Sequence, residues 1–239
     1  MEMDSKQLME AERGRTTSIR MEQIDDLELW QLGSDRMEEF NRFIYKIYSE
    51  AFRENEAIPF TFQEIASASQ EYFHRTKLCA VYHKDGDLLG TWGLVLKDLQ
   101  REDFLLPIES RFGISAKRIL EIAKAKDIHY MFNGWRTAID KKALERVGLP
   151  GSKSIYIFDF LLRGLTSDFG EESSRYLGVA EMEMLVLKYH RRVGLPWIIL
   201  GEPLHFWGRD RYPCAFNLGE FETYLKTHHP ERHRFLYQK

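Results

Sequence analysis

Apolar side chains recur at helical spacing near the start of the chain. Between about Asp35 and Phe52 they lie three or four positions apart, which places them on one face of a helix. The members of that face are Met37, Phe40, Ile44, Ile47, Tyr48 and Ala51. Ser34 is expected to cap this helix. A second helix is predicted from Thr61, because Thr61 and Glu64 have the spacing of a capping box.

Two apolar runs then follow with the signature of a β-hairpin. Residues 78–82 and 88–95 are separated by a short polar segment that contains Asp85-Gly86. Asp-Gly between two β-type runs is a strong hairpin signal, so we expect two antiparallel strands. The segments beyond the hairpin are predicted as a loop at 98–114, a helix begun by Ser115, a strand at 129–132 and a helix opened at Thr137.

The second half of the chain reads as a βαβ unit. Residues 154–162 are almost wholly apolar and predict a central strand buried on both faces. Gly178 is predicted to open a helix that ends before Gly194, and residues 197–200 a further strand. With the hairpin, this unit makes the sheet mixed. The predicted fold is α/β (α+β), a mixed central sheet flanked by helices in one domain at 21–239, after a flexible arm at 1–20.

The composition narrows the class of protein. Of the 239 residues, 44% are hydrophobic, which is typical of a folded globular chain. The net charge of -3 gives no electrostatic reason to expect a nucleic-acid partner. Two cysteines are too few for a zinc site of the usual ligand count, and we expect no metal. The apolar runs are shorter than the ~20 residues of a transmembrane helix. A cytoplasmic protein is therefore expected.

The segment Arg175-Tyr176-Leu177-Gly178-Val179-Ala180 is the main candidate for chemistry. It has the pattern Arg-x-x-Gly-x-Ala at the start of the predicted helix. Glycine lets a phosphate approach the backbone, and the first amides of a helix bind anions. Arg175 would add a charge-assisted contact. The alternative is an ordinary helix start with a solvated arginine.

This pattern resembles the GNAT superfamily of acyltransferases, whose acyl-CoA site lies between the fourth strand and the third helix. The order of predicted elements is similar as well. The resemblance assigns cofactor binding to Leu162, Arg163, Arg175, Tyr176, Leu177, Gly178, Val179 and Ala180. Three further segments are similar to the autoinducer-synthase and long-chain N-acyl amino acid synthase branch: 42–50, 106–109 and 202–207, which read RFIYKIYSE, LPIE and EPLHFW.

The resemblance implies N-acyl transfer from a thioester donor, either acyl-CoA or the acyl-phosphopantetheine of acyl carrier protein. The acceptor would be the amine of an amino acid or a similar small molecule, and acyl carrier protein would be a partner. The general base would come from Glu50, Asp159 or His205. Each of these has a structural alternative: a solvated helix-end acid, an acid paired with arginine and a packed histidine, respectively.

The family's fourth helix usually offers a tyrosine as general acid to the leaving thiolate. The matching position here is expected to be Trp207, which has no labile proton to give. Two alternatives therefore stay open beside long-chain N-acyl transfer. One is an acetyl-CoA-dependent small-molecule N-acetyltransferase, and the other is a non-catalytic thioester-binding module.

Overall fold

The computed structural model of the protein describes residues 14–52, 56–166 and 169–238. Its helices are α1 (Met37–Ser49), α2 (Phe62–Tyr72), α3 (Pro107–Phe112), α4 (Ala116–Ala123), α5 (Lys141–Arg146), α6 (Ser154–Thr166), α7 (Met184–Arg192), α8 (Leu218–His228) and α9 (Pro230–Tyr237). Its strands are β1 (Ile19–Ile24), β2 (Leu27–Gln31), β3 (Thr76–His83), β4 (Leu88–Asp98), β5 (Tyr130–Ile139), β6 (Tyr176–Glu183), β7 (Ile198–Ile199), β8 (Leu204–Phe206) and β9 (Arg209–Asn217). None of the described helices is long and apolar enough to cross a membrane.

The described strands form one nine-stranded sheet in the order β1-β2-β3-β4-β5-β6-β9-β7, with β8 paired to β9. β5 and β6 are parallel, whereas β6 and β9 are antiparallel. The predicted mixed sheet flanked by helices is therefore confirmed. The chain divides into two compact units, Met1–Leu94 with Trp135–Asp168, and Val95–Gly134 with Phe169–Lys239.

In the first unit, α6 packs on β2 and β3. Gly164 allows this close packing, because an added Cβ would lie 3.0 Å from Leu29 Cδ2 and 3.1 Å from Cys79 Sγ. Arg163 on the same helix forms an ion pair of 2.7 Å with Glu22 of β1. A fully buried and largely apolar face thus holds α6 on the strands.

The second unit is built around aromatic side chains. The ring centroid of Phe169 lies 5.5 Å from that of Phe132, on which it stacks, and 4.5 Å from that of Tyr176. The ring centroids of Trp197 and Phe216 are 4.4 Å apart. Such pairs stabilise a core beyond the area they bury. Cys214 of β9 is fully buried in this unit, and burial raises the pKa of its thiol to about 12.

The hairpin and the second helix were predicted correctly. β3 and β4 are joined through Gly86 at φ +94°, and the amide of Gly86 donates to the carbonyl of His83. Thr61 and Glu64 form the expected capping box. Ser115 also caps its helix, accepting a hydrogen bond from the amide of Arg118. Ser34, however, lies in a short 3-10 helix before α1 and makes no cap for it.

Two predictions in the second half were wrong. Residues 154–162 form helix α6 rather than a strand, because a continuous apolar run suits a helix buried on most sides as well as a strand. Residues 176–183 form strand β6, and helix α7 begins at Met184 rather than at Gly178. The βαβ order survives as β6, α7 and β7, and β7 (Ile198–Ile199) falls within the strand predicted at 197–200.

Smaller differences occur elsewhere. Of the predicted arm at 1–20, residues 1–13 lie outside the described residues, and Ile19 and Arg20 already belong to β1. Thr137 lies in β5 rather than opening a helix, and the predicted loop at 98–114 contains α3. The extent of one domain over 21–239 stays a prediction.

Candidate functional site

The parallel pairing of β5 with β6 runs from Tyr130 and Tyr176 to Asn133 and Val179. Beyond Val179, β6 continues to Glu183 along its partner β9. Glu181 and Glu183 lie two positions apart and therefore share one face of β6. The end of β6, with its two carboxylates beyond the parallel pairing, is therefore a candidate functional site of the second unit.

Asn133 is the last residue of β5 paired with β6, and helix α3 binds its side chain. The side-chain oxygen of Asn133 accepts a hydrogen bond of 3.0 Å from the amide of Ile108. Helix α3 is itself anchored by Glu109, whose carboxylate lies 2.7 Å from Lys97 Nζ and accepts from the amide of Ala116. Lys97 and Glu109 are both buried. These hydrogen bonds and the buried ion pair connect β5 to helix α3 within the second unit.

Glu181 is the more enclosed of the two acids of β6. Its side chain is only 6% exposed, and its Oε2 is ion-paired with Arg111 of α3. Its Oε1 is buried and has no hydrogen-bond partner among the described residues. A buried carboxylate oxygen without a donor costs free energy, so it calls for a ligand or water.

Aromatic and basic side chains surround this acid. Arg111 lies over the ring of Phe206 at 4.0 Å. Arg211, the cross-strand partner of Glu183, lies 6.0 Å from Phe206 and 5.9 Å from Trp207. The rings of Phe206 and Trp207 stack at 4.7 Å. We refer to Arg111, Glu181, Phe206, Trp207 and Arg211 as the acid–arginine cluster.

Trp207 holds an unusual backbone conformation in this cluster. It forms, with Gly208, the two-residue turn between β8 and β9, and both residues have positive φ, +51° and +69°. Such turns favour Asn-Gly, and a tryptophan there is strained. The resemblance to the family implies that Trp207 occupies the position of the fourth-helix general acid. That placement was wrong, because Trp207 lies in a hairpin turn.

The helix that follows β6 is α7, and it carries Tyr189 and His190. Tyr189 is half-buried, and its ring lies 6.0 Å from that of His190. His190 is buried, and desolvation lowers its pKa to about 4. At neutral pH its imidazole is uncharged.

The three predicted general bases have different surroundings. Glu50 follows α1 and pairs with Lys142 at 3.3 Å. Asp159 is buried in α6, so it lies on a helix instead of the expected strand. His205 is 70% exposed on β8 and lies 2.9 Å from Asp210. Glu50 and Asp159 belong to the first unit, and His205 to the second.

The predicted cofactor turn does not have the geometry on which its prediction rested. Tyr176, Leu177, Val179 and Ala180 are buried strand residues. An added Cβ at Gly178 would meet the rings of Phe216 at 2.3 Å and Phe132 at 2.7 Å. This glycine therefore makes room for aromatic packing, and no helix begins there to offer free amides to a phosphate.

The other residues assigned to the cofactor are also placed differently. Arg175 ends a short 3-10 helix and pairs with Glu172 at 3.1 Å. Leu162 is buried in α6, and Arg163 is engaged by Glu22. Neither lies at the end of a strand.

No protein-family model matches this sequence, and no curated protein sequence matches it. Among solved structures, the chain is similar to FeeM, an N-acyl amino acid synthase from uncultured soil microbes. The identity is 14%, the match covers 83% of this chain and 93% of that chain, and the TM-score is 0.56. The chain has a GNAT-like fold.

Two further solved structures are matched more loosely. An uncharacterized protein from Bacillus halodurans is 10% identical over 89% of this chain and 96% of its own, with a TM-score of 0.49. The spermidine N-acetyltransferase of Vibrio cholerae, in complex with CoA and spermine, is 12% identical over 83% and 99%, with a TM-score of 0.45.

A second glycine-containing segment lies between strand β5 and helix α6. The strand after the hairpin is β5, and the long helix after it is α6. The intervening segment contains Arg146, Gly148, Gly151 and Lys153. Gly148 has φ +74°, and an added Cβ at Gly148 or Gly151 meets nothing within 4 Å. Lys153 is exposed beside the start of α6, whose first turn has no acid.

Sequence reasoning therefore missed Glu181, Arg111, Arg211 and the segment 146–153. A signal for the segment was present in its two glycines and its lysine before the long apolar run. The acid–arginine cluster had a weaker signal, because α3, β6 and β9 are far apart in sequence. The alternating acids of β6 were the one hint.

Proposed function

We propose that this protein is an N-acyltransferase that moves an acyl group from a thioester donor to the primary amine of a small molecule. The observation that carries the proposal is the order of strand β5, glycine-containing loop, helix α6 and strand β6, with β5 parallel to β6. The likeness to an N-acyl amino acid synthase supports the same reading. The donor in this proposal is acyl-CoA or the acyl-phosphopantetheine of acyl carrier protein.

The phosphate end of the donor is assigned to residues 148–153 rather than to 175–180. The open backbone at Gly148 and Gly151 gives a phosphate room to approach the amides at the start of α6. Lys153 supplies an exposed positive charge at the same helix start. Arg146 is 55% exposed, although it is paired with Asp87 at 2.9 Å. These residues fit an anionic group, and they belong to the first unit.

The proposed reaction forms a C–N bond and breaks the C–S bond of the thioester. The acceptor enters as an ammonium ion and must lose two protons in all. One is taken up by the leaving thiolate and the other passes to a base. In GNAT enzymes a tyrosine of the fourth helix usually protonates the thiolate, and α7 carries Tyr189 in this chain. Glu50, Asp159 and His205 stay predictions as the base.

The first experiment offers the purified protein a matrix of donors and acceptors. Acetyl-, octanoyl- and palmitoyl-CoA, and the corresponding acyl carrier proteins, are combined with amino acids and simple amines. Thiol release is followed by colour, and products by mass spectrometry. An N-acylated product from long-chain donors is expected. Turnover with acetyl-CoA alone would select the acetyltransferase, and donor binding without any turnover would select the non-catalytic module.

Two variants then separate donor binding from chemistry. Lys153→Ala is expected to raise KM for acyl-CoA several-fold while kcat stays within about twofold, since an exposed charge contact is lost. Lys117→Ala, also an exposed lysine, serves as the matched control. Tyr189→Phe is expected to lower kcat by about a hundredfold with little change in KM, as loss of an acid in the transition state should. Unchanged kcat would remove Tyr189 from the proposal.

A further inference from the structure

One buried hydrogen-bond acceptor and one buried donor of the acid–arginine cluster have no partner among the described residues. Among the described residues, Glu181 Oε1 has no donor and Arg211 Nε has no acceptor. The ion pair of Arg211 Nη2 with Glu183 Oε1 is long, at 3.7 Å. Buried polar groups without partners are rare in folded proteins, and each one needs an explanation.

The two residues lie on the same face of the paired strands. Glu181 is registered with Pro213 and Glu183 with Arg211, so Glu181 and Arg211 are diagonal neighbours across β6 and β9. Diagonal neighbours in an antiparallel pair are separated by about 7–8 Å, close enough for long side chains to converge on one small molecule. Each of the two side chains is engaged through another atom: Glu181 Oε2 pairs with Arg111, and Arg211 Nη2 with Glu183.

The cluster also has an apolar wall. Phe206 and Trp207 stack on each other, and both arginines lie against Phe206. Phe206 and Trp207 are half-buried, so part of this wall is exposed to solvent. The turn holds Trp207 at positive φ, a backbone conformation that glycine or asparagine adopts with less strain, and so places a large ring at this position.

We propose that the acid–arginine cluster binds a small zwitterion, with Glu181 receiving its ammonium group and Arg211 its carboxylate. This rests on the proposed function in so far as it makes the cluster the acceptor site. It goes beyond it by requiring a carboxylate beside the amine, so that α-amino acids are acceptors and simple amines or polyamines are not. Arg111 holds Glu181 in place through the other carboxylate oxygen.

Binding is tested without turnover, so that the two proposals fail separately. Isothermal titration compares phenylalanine, phenethylamine and 3-phenylpropionate, which differ only in the charged groups they carry, and then leucine, isoamylamine and 4-methylpentanoate. Loss of either charge from the ligand is expected to weaken binding about tenfold or more, the usual effect of losing a charge-assisted hydrogen bond. Equal binding of amino acid and amine, or binding of neither, would overturn the zwitterion site.

Variants then assign the roles. Arg211→Gln is expected to weaken phenylalanine about tenfold and to leave phenethylamine unchanged, because only the carboxylate contact is lost. Glu181→Gln should weaken both ligands. Arg118→Gln, an exposed arginine paired with Glu121, is the matched control. Equal loss of both ligands in Arg211→Gln would contradict the assignment. Thermal unfolding checks that each variant is folded. If a variant does not fold, the comparison of ligands on the wild-type protein still tests the proposal.

The transfer assay completes the separation. Acylation of amino acids and of their decarboxylated amines at equal rates would leave the proposed function intact and refute the zwitterion site. Selective binding of amino acids without any transfer would support the site and count against the function.

Discussion

The side-chain oxygen of Asn133 accepts a hydrogen bond from the backbone amide of Ile108 at 3.0 Å, and both residues are buried. Asn133→Ala leaves that amide without a partner. We expect the free energy of unfolding to fall by about 1–3 kcal/mol, the cost of a buried unsatisfied donor. Hydrogen exchange should show loss of protection at Ile108 but not at Arg118, whose amide is held by Ser115. Retained protection at Ile108 would show that the bond is dispensable.

Gly178 is expected to be sensitive to the smallest side chain. Gly178→Ala places a methyl group against the rings of Phe216 and Phe132 and should destabilise the protein by about 1–3 kcal/mol through overpacking. Gly151→Ala adds the same methyl group in open space and is the control, expected to stay within about 0.5 kcal/mol. Equal melting temperatures for the two variants would refute the aromatic-packing role of Gly178.

The buried pair of Lys97 and Glu109 should respond asymmetrically to substitution. Lys97→Met leaves a buried carboxylate and is expected to cost about 3–5 kcal/mol. Glu109→Ala should cost more, because this carboxylate also accepts from the amides of Leu106 and Ala116. Denaturant titration of both single variants and the double variant measures the coupling. Additive effects would mean that the pair contributes no interaction energy.

His190 predicts a specific dependence of stability on pH. Its pKa is about 4 in the folded protein, below the ordinary value of 6.5, because burial disfavours the charged ring. Above pH 6.5 both states are neutral, so His190 has no effect there. As the pH falls from 6.5 towards 4, the unfolded chain binds a proton that the folded state does not.

The free energy of unfolding should therefore fall by about 3 kcal/mol across that window on account of His190. Chemical denaturation at several pH values is compared for the wild type and His190→Leu, which should lack this part of the slope. His228→Gln, at an exposed histidine of α8, is the control. Parallel curves for wild type and His190→Leu would contradict the prediction.

Local signals in the sequence were sufficient for the elements whose ends carry their own chemistry. Asp85-Gly86 marks a turn, and Thr61 with Glu64 marks a helix start, because both act through nearby backbone groups. Such signals, which separate helices from strands along the chain, led to the correct fold class. These features depend on residues only a few positions apart.

The misplacement of the cofactor segment has a physical cause. The run at 154–162 is apolar on every side, and α6 buries most of its surface, so periodicity could not distinguish helix from strand. If that run is predicted as a strand, Gly178 is placed at a helix start by its position in the chain alone. Its true role depends on Phe132 and Phe216, which are distant in sequence and meet it only in the folded sheet.

The acid–arginine cluster lay beyond sequence reasoning for the same reason. Arg111, Glu181 and Arg211 come from three separate elements, and only the register of β6 with β9 shows that two of them share a face. Even a correct prediction of the fold gives no information about that register.

The burial of both cysteines has a practical benefit for enzymology. Cys79 and Cys214 are each 0% exposed, so a colorimetric reagent for sulfhydryls has no ready target on the native protein. Coenzyme A liberated during turnover would then account for the signal, and a blank of folded enzyme should remain flat until denaturant is added.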